Sequence, residues 1–321
     1  MGNCGIGKSE NQMLKYVANR LLQMIPTLVG VTLLTFVLFN VVGGVSPALV
    51  VLGKNATEES IAAYDQIHGY DRPVYVQYWK FVVNICRGEL GTSVDYRQPV
   101  AQVIREGALV SLSLTVPLLL IGLAVSLSLG LLCAACAGRG PDRATLAVVT
   151  VIMSVNYVIW VTAGQYFFAF KLKLFPVWGY ANWTYLLLPV LIGVMSGIGG
   201  DTRLYRTLIL DEIRRPHVRT AIAKGLSPAA VLLRHVLRNS LVTVTTNVSL
   251  AVPYLFVGSI LLESFFGIPG LGGIGLNAVN SADYDMVRAV VLIGSALYQL
   301  SNLAGDLVVA AIDPRVRLAR A

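Results

Sequence analysis

Long stretches of apolar residues dominate the chain and define its expected elements. Six of them are long and apolar enough to cross a bilayer as helices, which takes roughly 20 residues each. They are centred near residues 33, 122, 157, 193, 251 and 300. The pattern therefore predicts an all-α integral membrane protein with six transmembrane helices.

The more polar segments divide the chain into two tails, two large loops and a core. We expect a disordered cytoplasmic tail at 1–12, an amphipathic start and first span at 13–42, and an extracytoplasmic loop at 43–106. A five-span core at 107–312 and a cytoplasmic tail at 313–321 complete the chain. Within the core, Ser264–Ala282 is free of charge, but Pro269 and five glycines argue against a spanning helix. We interpret it as a short loop, with a re-entrant form as the alternative.

Composition and charge exclude soluble classes and set the orientation. Hydrophobic residues make up 55% of the chain and charged residues 13%, yet 25 Lys and Arg against 17 Asp and Glu give a net charge of +8. A soluble nucleic-acid binder would cluster many more cations on a wetted face, so nucleic acid is not an expected partner. Sixteen of the 25 cations fall in the tails and in two loops of one side. Cytoplasmic loops carry such an excess, which predicts that both termini are cytoplasmic.

Three motif matches lack the structural context that their chemistry needs. Gly2–Ser9 fits a phosphate-binding loop but has no preceding strand, and Gly270–Gly275 fits a dinucleotide pattern outside any βαβ unit, where a tight turn is expected. Cys133 and Cys136 lie in an apolar helix and are expected to be buried small hydrophobic residues. The three histidines are scattered, and no serine lies in a nucleophile-elbow pattern. We predict no catalytic, cofactor or metal site on this chain.

The segment from Arg203 to Arg238 carries the densest positive charge and the strongest local signal. Helix-forming residues run up to Gly225, which can adopt the left-handed conformation that ends a helix. Pro228 suits the first turn of a second helix, so a helix–turn–helix is predicted on the cytoplasmic face. Small residues at Ala221 and Ala223 would let another protein approach closely. The alternative is an ordinary basic loop held near anionic membrane lipid.

Short runs in a characteristic order extend over nearly the whole chain, from about residue 14 to 317. They are Arg20-Leu21-Leu22, Ile25-Pro26-Thr27, Tyr70-Asp71-Arg72-Pro73, Gly88-Glu89-Leu90-Gly91, Phe175-Pro176-Val177, Arg219-Thr220-Ala221-Ile222-Ala223-Lys224-Gly225-Leu226, Glu263-Ser264-Phe265-Phe266, Pro269-Gly270-Leu271-Gly272 and Asp313-Pro314-Arg315. Together they resemble the membrane subunits of ABC importers in the dipeptide/oligopeptide/nickel permease branch. The run at 219–226 is similar to that family's "EAA" loop, which docks into a groove on the ATPase subunit.

This resemblance implies a fold, a location, partners and a coupling site. The fold would be the type I, MetI-like permease fold in the bacterial cytoplasmic (inner) membrane. Partners would be a second permease chain, two ATP-binding subunits that hold ATP and Mg, and an extracytoplasmic substrate-binding protein. The chain itself would be a transport subunit and not an enzyme. The residues expected to couple it to the ATPase are Arg219, Thr220, Ala221, Ala223, Lys224 and Gly225.

The cargo and the substrate path are less defined by sequence. The branch implies short peptides, with nickel, a metal chelate or another peptide-like solute as the alternative. Polar residues in or beside the spans, Asn156, Tyr157, Asn247 and Glu263, are candidates for the path. Interhelical hydrogen bonds are the alternative for the first three, and Glu263 is expected at the outer membrane boundary, solvated or structural. A self-sufficient secondary carrier or channel is the rival class, but five of the six spans lack any charge.

One departure from the family pattern concerns the third span. A proline common there is replaced by Asn156 in this chain.

Overall fold

The computed structural model describes residues 6–42, 52, 56–69 and 71–312, and these are almost entirely helical. In chain order the helices are α1 (Ile6–Phe36), α2 (Glu58–His68), α3 (Val74–Arg87), α4 (Val100–Ala135), α5 (Gly140–Ser154), α6 (Tyr157–Gly164), α7 (Thr184–Ile213), α8 (Pro216–Ala223), α9 (Pro228–Ala230), α10 (Arg238–Val257), α11 (Ile260–Phe266), α12 (Leu271–Asn280) and α13 (Tyr284–Ile312). Three π-helical segments continue α1, α6 and α9, respectively: Val37–Val42, Gln165–Lys171 and Val231–Leu237.

Four helices, α1, α4, α7 and α13, are each long and apolar enough to cross a membrane. Two further spans arise when a bent pair is counted as one: α5 with α6, and the α9–α10 helix with α11. The halves of these pairs meet at 88° and 50°, respectively. The fold is thus the predicted all-α membrane bundle with four to six spans, but the third span is not the single straight helix expected around residue 157.

The break in the third span has a local cause at Asn156. Its backbone is extended (φ −59°, ψ 140°), and its side chain accepts a hydrogen bond from the Val158 amide at 2.9 Å. The indole of Trp160 donates to the Ile152 carbonyl at 3.0 Å, and the same carbonyl accepts from the Val155 amide at 3.4 Å, so this last-turn acceptor stays paired where the helix breaks. An asparagine cap therefore ends one helix and starts the next without a proline.

Packing is organised around α4, which lies along α7, while α10 packs against α13 and α13 against α1. Buried residues form three clusters. One lies at the start of α4 with α12 and α13, one in the middle of the bundle, and one at the end of α4 with α8 and the π-helical segment after α9. The first and third clusters thus mark the two ends of the bundle.

Two boundary predictions are corrected by these helices. The tail expected to be disordered at 1–12 is helical from Ile6 onward, and residues 1–5 lie outside the described residues. The segment Ser264–Ala282 is not a loop, because α11 ends within it and α12 occupies most of the rest. Gly270 precedes the first residue of α12, so the expected tight turn at 270–275 is a helix start. The matched residues Tyr70 and 313–315 also lie outside the described residues.

Candidate functional sites: the α8–α9 elbow and the central cavity

The α8–α9 elbow, residues 216–230, has the predicted helix–turn–helix form. Pro216 opens α8, and Gly225 follows its end with a φ of +77°, the left-handed conformation. Ser227 then caps α9, its hydroxyl accepting from the Ala230 amide at 3.3 Å, and Pro228 occupies the first turn. Because proline needs no amide partner at a helix start, two short helices meet here within a few residues.

The elbow has one buried face and one open face. Val218 is fully buried and Ala221 is 4% exposed, and both pack with Ile209 of α7. Ala221 thus faces the protein's own core, contrary to the expectation that it would lie on a surface open to a partner. Arg219, Thr220, Ala223, Lys224 and Gly225, which were predicted for the same role, are exposed.

Two apolar side chains on the open face were not singled out from the sequence. Ile222 is 57% exposed and Leu226 is 41% exposed, next to the predicted basic residues. An exposed apolar pair bordered by charges is typical of a protein contact surface. Their place in the sequence could have indicated them, because Ile222 directly follows Ala221 and Leu226 directly follows Gly225 in the predicted docking segment.

A polar network fastens the elbow to its neighbouring helices. The amide of Asn239, at the start of α10, donates to Glu212 of α7 at 3.2 Å and contacts His217 Nε2 at 3.0 Å. His217 Nε2 also lies 3.2 Å from Glu212 Oε1. These contacts join α7, α8 and α10, so a displacement of α8 would act on both long helices.

A buried ion pair lies near the same end of the bundle and was missed by sequence reasoning. Arg206 of α7 binds Asp142 of α5 with two hydrogen bonds of 2.7 and 2.8 Å, and Asp142 is 2% exposed. The Gly138 amide, in the turn after α4, donates to the same carboxylate at 2.7 Å. One carboxylate thus joins α5, α7 and the turn after α4. Arg206 and Asp142 are 64 positions apart, so no local sequence pattern reveals the pair.

The central cavity is open on one side of the bundle, has a volume of about 310 Å³ and has no charged side chain in its wall. The Tyr157 hydroxyl, one of the predicted path residues, lies near the Ser259 side chain there. The lining comes from α4, α6, α7, α10 and the break before α11: Thr115, Leu118, Leu119, Tyr157, Gly193, Ser196, Ala251, Tyr254, Leu255, Gly258 and Ser259. Hydroxyl groups on apolar walls can both donate and accept hydrogen bonds, which suits a polar solute without demanding a charge.

The other candidates from the sequence do not line this cavity. Asn156 uses its side chain to cap α6, and the Asn247 amide donates to the Thr243 carbonyl of its own helix at 3.0 Å. Ser196 and Ser259, which do line it, were not singled out because single serines in apolar stretches are common.

Glu263 is fully buried in α11 and has its hydrogen-bond capacity filled by the protein itself. Oε1 accepts from Ser111 Oγ at 2.8 Å and from the Ser259 amide at 3.2 Å, and Oε2 accepts from the Gly273 amide at 2.9 Å. Ser111 in turn accepts from the Leu271 amide at 2.8 Å. The carboxylate is therefore structural and not solvated, and it joins α4, α11 and α12.

Glycines make room for this carboxylate. A Cβ at Gly258 or Gly270 would overlap the Glu263 side chain, and one at Gly272 would lie 3.0 Å from Oε2. We call the set of Ser111, Gly258, Ser259, Glu263, Gly270, Gly272 and Gly273 the Glu263 cluster. Since Gly258 and Ser259 also line the central cavity, the cluster supports one wall of it.

No group of three or more His, Cys, Asp or Glu side chains that could hold a metal ion occurs among the described residues. Cys133 is buried, as expected, and Cys136 is partly exposed.

Two family models together match most of the chain. Residues 126–318 match the family described as "Binding-protein-dependent transport system inner membrane component". Residues 13–115 match the family described as "Binding-prot-dependent transport system membrane comp, N-term". The first match includes the elbow, most of the central cavity wall and Glu263.

Known relatives and one solved structure agree with this assignment. The glutathione transport system permease protein GsiC of Salmonella paratyphi A is 34% identical over 307 residues, which covers 95% of this chain and 99% of the relative. The same protein of Shigella flexneri is 33% identical over 308 residues, with the same coverage.

The solved structure is the methionine ABC transporter MetNI in inward-facing conformations. It superposes with a TM-score of 0.55 at 19% sequence identity, covering 67% of this chain and 98% of the other, and so supports the fold alone. The relatives favour a permease subunit over a self-sufficient carrier and over an enzyme. The chain belongs to the family of binding-protein-dependent transport system inner membrane components, the membrane permeases of ABC importers.

Proposed function

We propose that this permease moves short peptides through the central cavity and is driven by ATP-binding subunits that dock on the α8–α9 elbow. The full importer would contain a second permease chain, two ATP-binding subunits and an extracytoplasmic binding protein. The observation that carries the proposal is the open face of the elbow, which combines exposed basic residues with exposed Ile222 and Leu226.

The elbow would face the cytoplasm. The segment Arg203–Arg238 around it contains eight of the chain's Lys and Arg residues, and such an excess is typical of cytoplasmic loops. The opposite end, with α2, α3 and the turn before α4, would face the binding protein. With six spans, both termini would then lie on the cytoplasmic side.

A movement of the elbow would reach the cavity through α7 and α10. Val218 and Ala221 pack on Ile209 of α7, and Asn239 at the start of α10 binds Glu212. Both helices continue into the cavity wall, where α7 supplies Gly193 and Ser196, and α10 supplies Ala251, Tyr254 and Leu255. Packed helices transmit displacement because their interfaces do not deform continuously. Docking and closure of the ATP-binding subunits would thus change the shape of the cavity.

The size and chemistry of the cavity support a small polar cargo. Its volume of about 310 Å³ lies at the lower end of small-molecule sites, roughly 300 to 1,000 Å³. The relatives are named for transport of glutathione, which is a tripeptide. Hydroxyls of Tyr157, Ser196 and Ser259 would pair with peptide groups, whereas Asn156, Asn247 and Glu263 would act only by shaping the helices around them.

The coupling role is tested by replacing Gly225 with tryptophan, with Gly225→Ala as the matched control. Both variants strain the backbone equally, because any side chain is disfavoured at this positive φ. A Cβ here meets no atom of the chain within 4 Å, so the indole would extend into the space that a docked partner needs, whereas the methyl group would not. We expect Gly225→Trp to lower ATP-driven peptide uptake at least about tenfold, which corresponds to about 1.4 kcal/mol of lost contact free energy. Uptake and substrate-stimulated ATP hydrolysis are measured in proteoliposomes of the assembled importer.

Gly225→Ala should retain most of this activity, and both variants should insert in the membrane at normal levels. If Gly225→Trp shows normal substrate-stimulated hydrolysis, or if Gly225→Ala loses as much activity, the docking surface lies elsewhere.

The path is tested by removing the Tyr157 hydroxyl. One lost hydrogen bond to cargo costs about 0.5–1.5 kcal/mol, so Tyr157→Phe should raise the apparent KM for glutathione uptake roughly two- to tenfold. Tyr166→Phe is the control, because Tyr166 is an exposed tyrosine of the same span outside the cavity. Equal KM values in the two variants would remove Tyr157 from the path.

A further inference from the structure

A second cavity, of about 220 Å³, lies between α3 and the first half of α13, at the end of the bundle away from the elbow. Its walls include the end of α1, residues 89–91 and the α3 helix. Two cations, two carboxylates and two amides line it: Lys80, Arg288, Glu89, Asp285, Gln77 and Asn84. The proposed peptide path does not use any of them.

Arg288 is the side chain in this cavity that requires explanation. It is only 7% exposed, and its Nε has no hydrogen-bond partner among the residues that the structure describes. Its nearest carboxylate, Asp285, lies 3.7 Å from NH1, and its guanidinium stacks 5.9 Å from the centre of the Phe81 ring. Buried polar groups in folded proteins are nearly always paired, so a guanidinium that lines a cavity and has one unpaired nitrogen keeps donor capacity that the protein does not use.

The backbone around Arg288 is held in place by another buried residue. The carboxylate of Asp283, 1% exposed, accepts from Ser93 Oγ at 2.5 Å, from the Val94 amide at 2.9 Å and from the Met286 amide at 3.2 Å. These bonds fix the start of α13 against the turn before α4. The Arg288 fork is therefore presented by a rigid frame and not by a mobile loop.

The charges of the lining restrict the kind of ligand. An oxyanion, carboxylate or phosphate, would complete the donor set of Arg288, with Lys80 nearby. Since Glu89 and Asp285 line the same cavity and offset the charges of Lys80 and Arg288, a molecule that carries an ammonium group beside its oxyanion matches both signs.

The neighbourhood of the cavity exposes aromatic side chains of the kind found at membrane interfaces. The α3 helix exposes Tyr75 at 75% and Trp79 at 69%, and such aromatic side chains are enriched at the level of lipid headgroups. A zwitterionic headgroup and a small zwitterionic solute can both reach a cavity at this depth.

We propose that the cavity between α3 and α13 is a binding site for a zwitterion, whose oxyanion pairs with Arg288 and whose ammonium group pairs with Asp285 and Glu89. The ligand is either the phosphoethanolamine headgroup of a lipid or a short peptide with free termini. This inference does not rest on the proposed cargo, since the lipid satisfies the same chemistry.

The experiment measures binding to the assembled, delipidated importer without its binding protein, which could itself take up peptide. The probes are short-chain phosphatidylethanolamine and the dipeptide Ala-Ala. Each has a control anion that lacks the ammonium group: phosphatidylglycerol of the same chain length for the lipid, and N-acetyl-Ala-Ala for the dipeptide. Titration calorimetry and native mass spectrometry give the affinities. Whichever zwitterion binds identifies the source of the ligand.

The variants separate the guanidinium from general charge. We expect Arg288→Gln and Arg288→Lys each to weaken binding of the zwitterion at least tenfold, since lysine keeps the charge but lacks the planar fork of donors. Lys80→Gln, an exposed position that tolerates change, should weaken it severalfold. Arg87→Gln removes an exposed cation of α3 outside the cavity and should leave the affinity within twofold.

Three outcomes would overturn the proposal: neither zwitterion binds, the anion-only partners bind as tightly, or Lys80→Gln and Arg87→Gln have the same effect. The Lys80 comparison stands even if both Arg288 variants fail to fold.

Discussion

Gly225 in the elbow and Gly258 in the Glu263 cluster have almost the same φ, +77° and +76°, but opposite surroundings. A Cβ at Gly225 would meet no atom within 4 Å, whereas one at Gly258 would overlap Glu263 Oε1 and lie 2.8 Å from Ser111 Oγ. The first glycine is required by conformation alone and the second by conformation and space. The turn at Gly225 is thus open and specified by local signals, and the cluster is closed and held by contacts between distant parts of the chain.

This difference fits the roles proposed for the two regions. A docking surface has to remain accessible, and Arg219, Lys224 and Gly225 of the elbow are exposed. A cluster that supports a cavity wall has to keep its shape while neighbouring helices move, and its buried carboxylate binds three separate elements. Stability within one protein is distributed unevenly in this way, with moving and binding elements at the less stable end.

The largest expected effect is the contrast between Gly258→Ala and Gly225→Ala. At Gly258 the backbone (φ +76°, ψ −177°) lies in a region open essentially to glycine alone, and overpacking adds to the strain, so we expect a loss of about 2–5 kcal/mol of unfolding free energy. At Gly225 only the left-handed conformation is penalised, by about 1–2 kcal/mol. Unfolding of the purified chains in detergent, followed by circular dichroism, compares the two. Equal destabilisation would mean that the cluster relaxes around a methyl group and is not a rigid support of the cavity wall.

A smaller effect is expected from Glu263→Gln, which preserves shape. In either amide orientation, the NH2 group faces a donor, the Gly273 amide on one side or Ser111 and the Ser259 amide on the other. A buried unmatched donor costs about 1–3 kcal/mol. Because Ser259 lines the cavity, glutathione uptake should also fall, although Glu263 does not touch the cavity itself.

The matched control is Glu59→Gln, an exposed carboxylate in the first turn of α2. It should change the unfolding free energy by less than about 0.5 kcal/mol. A Glu263→Gln protein as stable as this control would show that the cluster depends on packing and not on its hydrogen bonds.

The same contrast decides what the sequence could predict. Gly225, Ser227 and Pro228 are adjacent and specify a helix end and a helix start through their own backbone preferences, so the elbow could be derived locally. Glu263 and Ser111 are 152 residues apart, and the glycines near 270 indicate a loop when only their flexibility is considered. These positions are glycine because a carboxylate approaches them closely, and no local sequence pattern records that contact.

The bent third span shows an intermediate case. The six apolar stretches predicted the number of spans, since the burial of apolar side chains in lipid depends on composition alone. The 88° bend depends on one capping asparagine and on Trp160 binding the Ile152 carbonyl, and both residues read equally well as parts of a straight helix. Similarly, Ala221 and Ala223 look equivalent in sequence, but the helical period turns the first inward and the second outward.

The smallest expected effect is the loss of the Ser227 N-cap in the elbow. Ser227 caps α9 through one exposed hydrogen bond of 3.3 Å, and loss of an N-cap costs about 1 kcal/mol. Because few other contacts hold this turn, Ser227→Ala should appear as faster hydrogen exchange of the amides at 229–231, with no change in the amides of the Glu263 cluster. Ser227→Asp restores an acceptor at the same position and should return the exchange rates to those of the natural protein. If the aspartate variant exchanges as fast as the alanine variant, the cap does not hold the elbow, and its shape depends instead on the buried contacts of Val218 and Ala221 with α7.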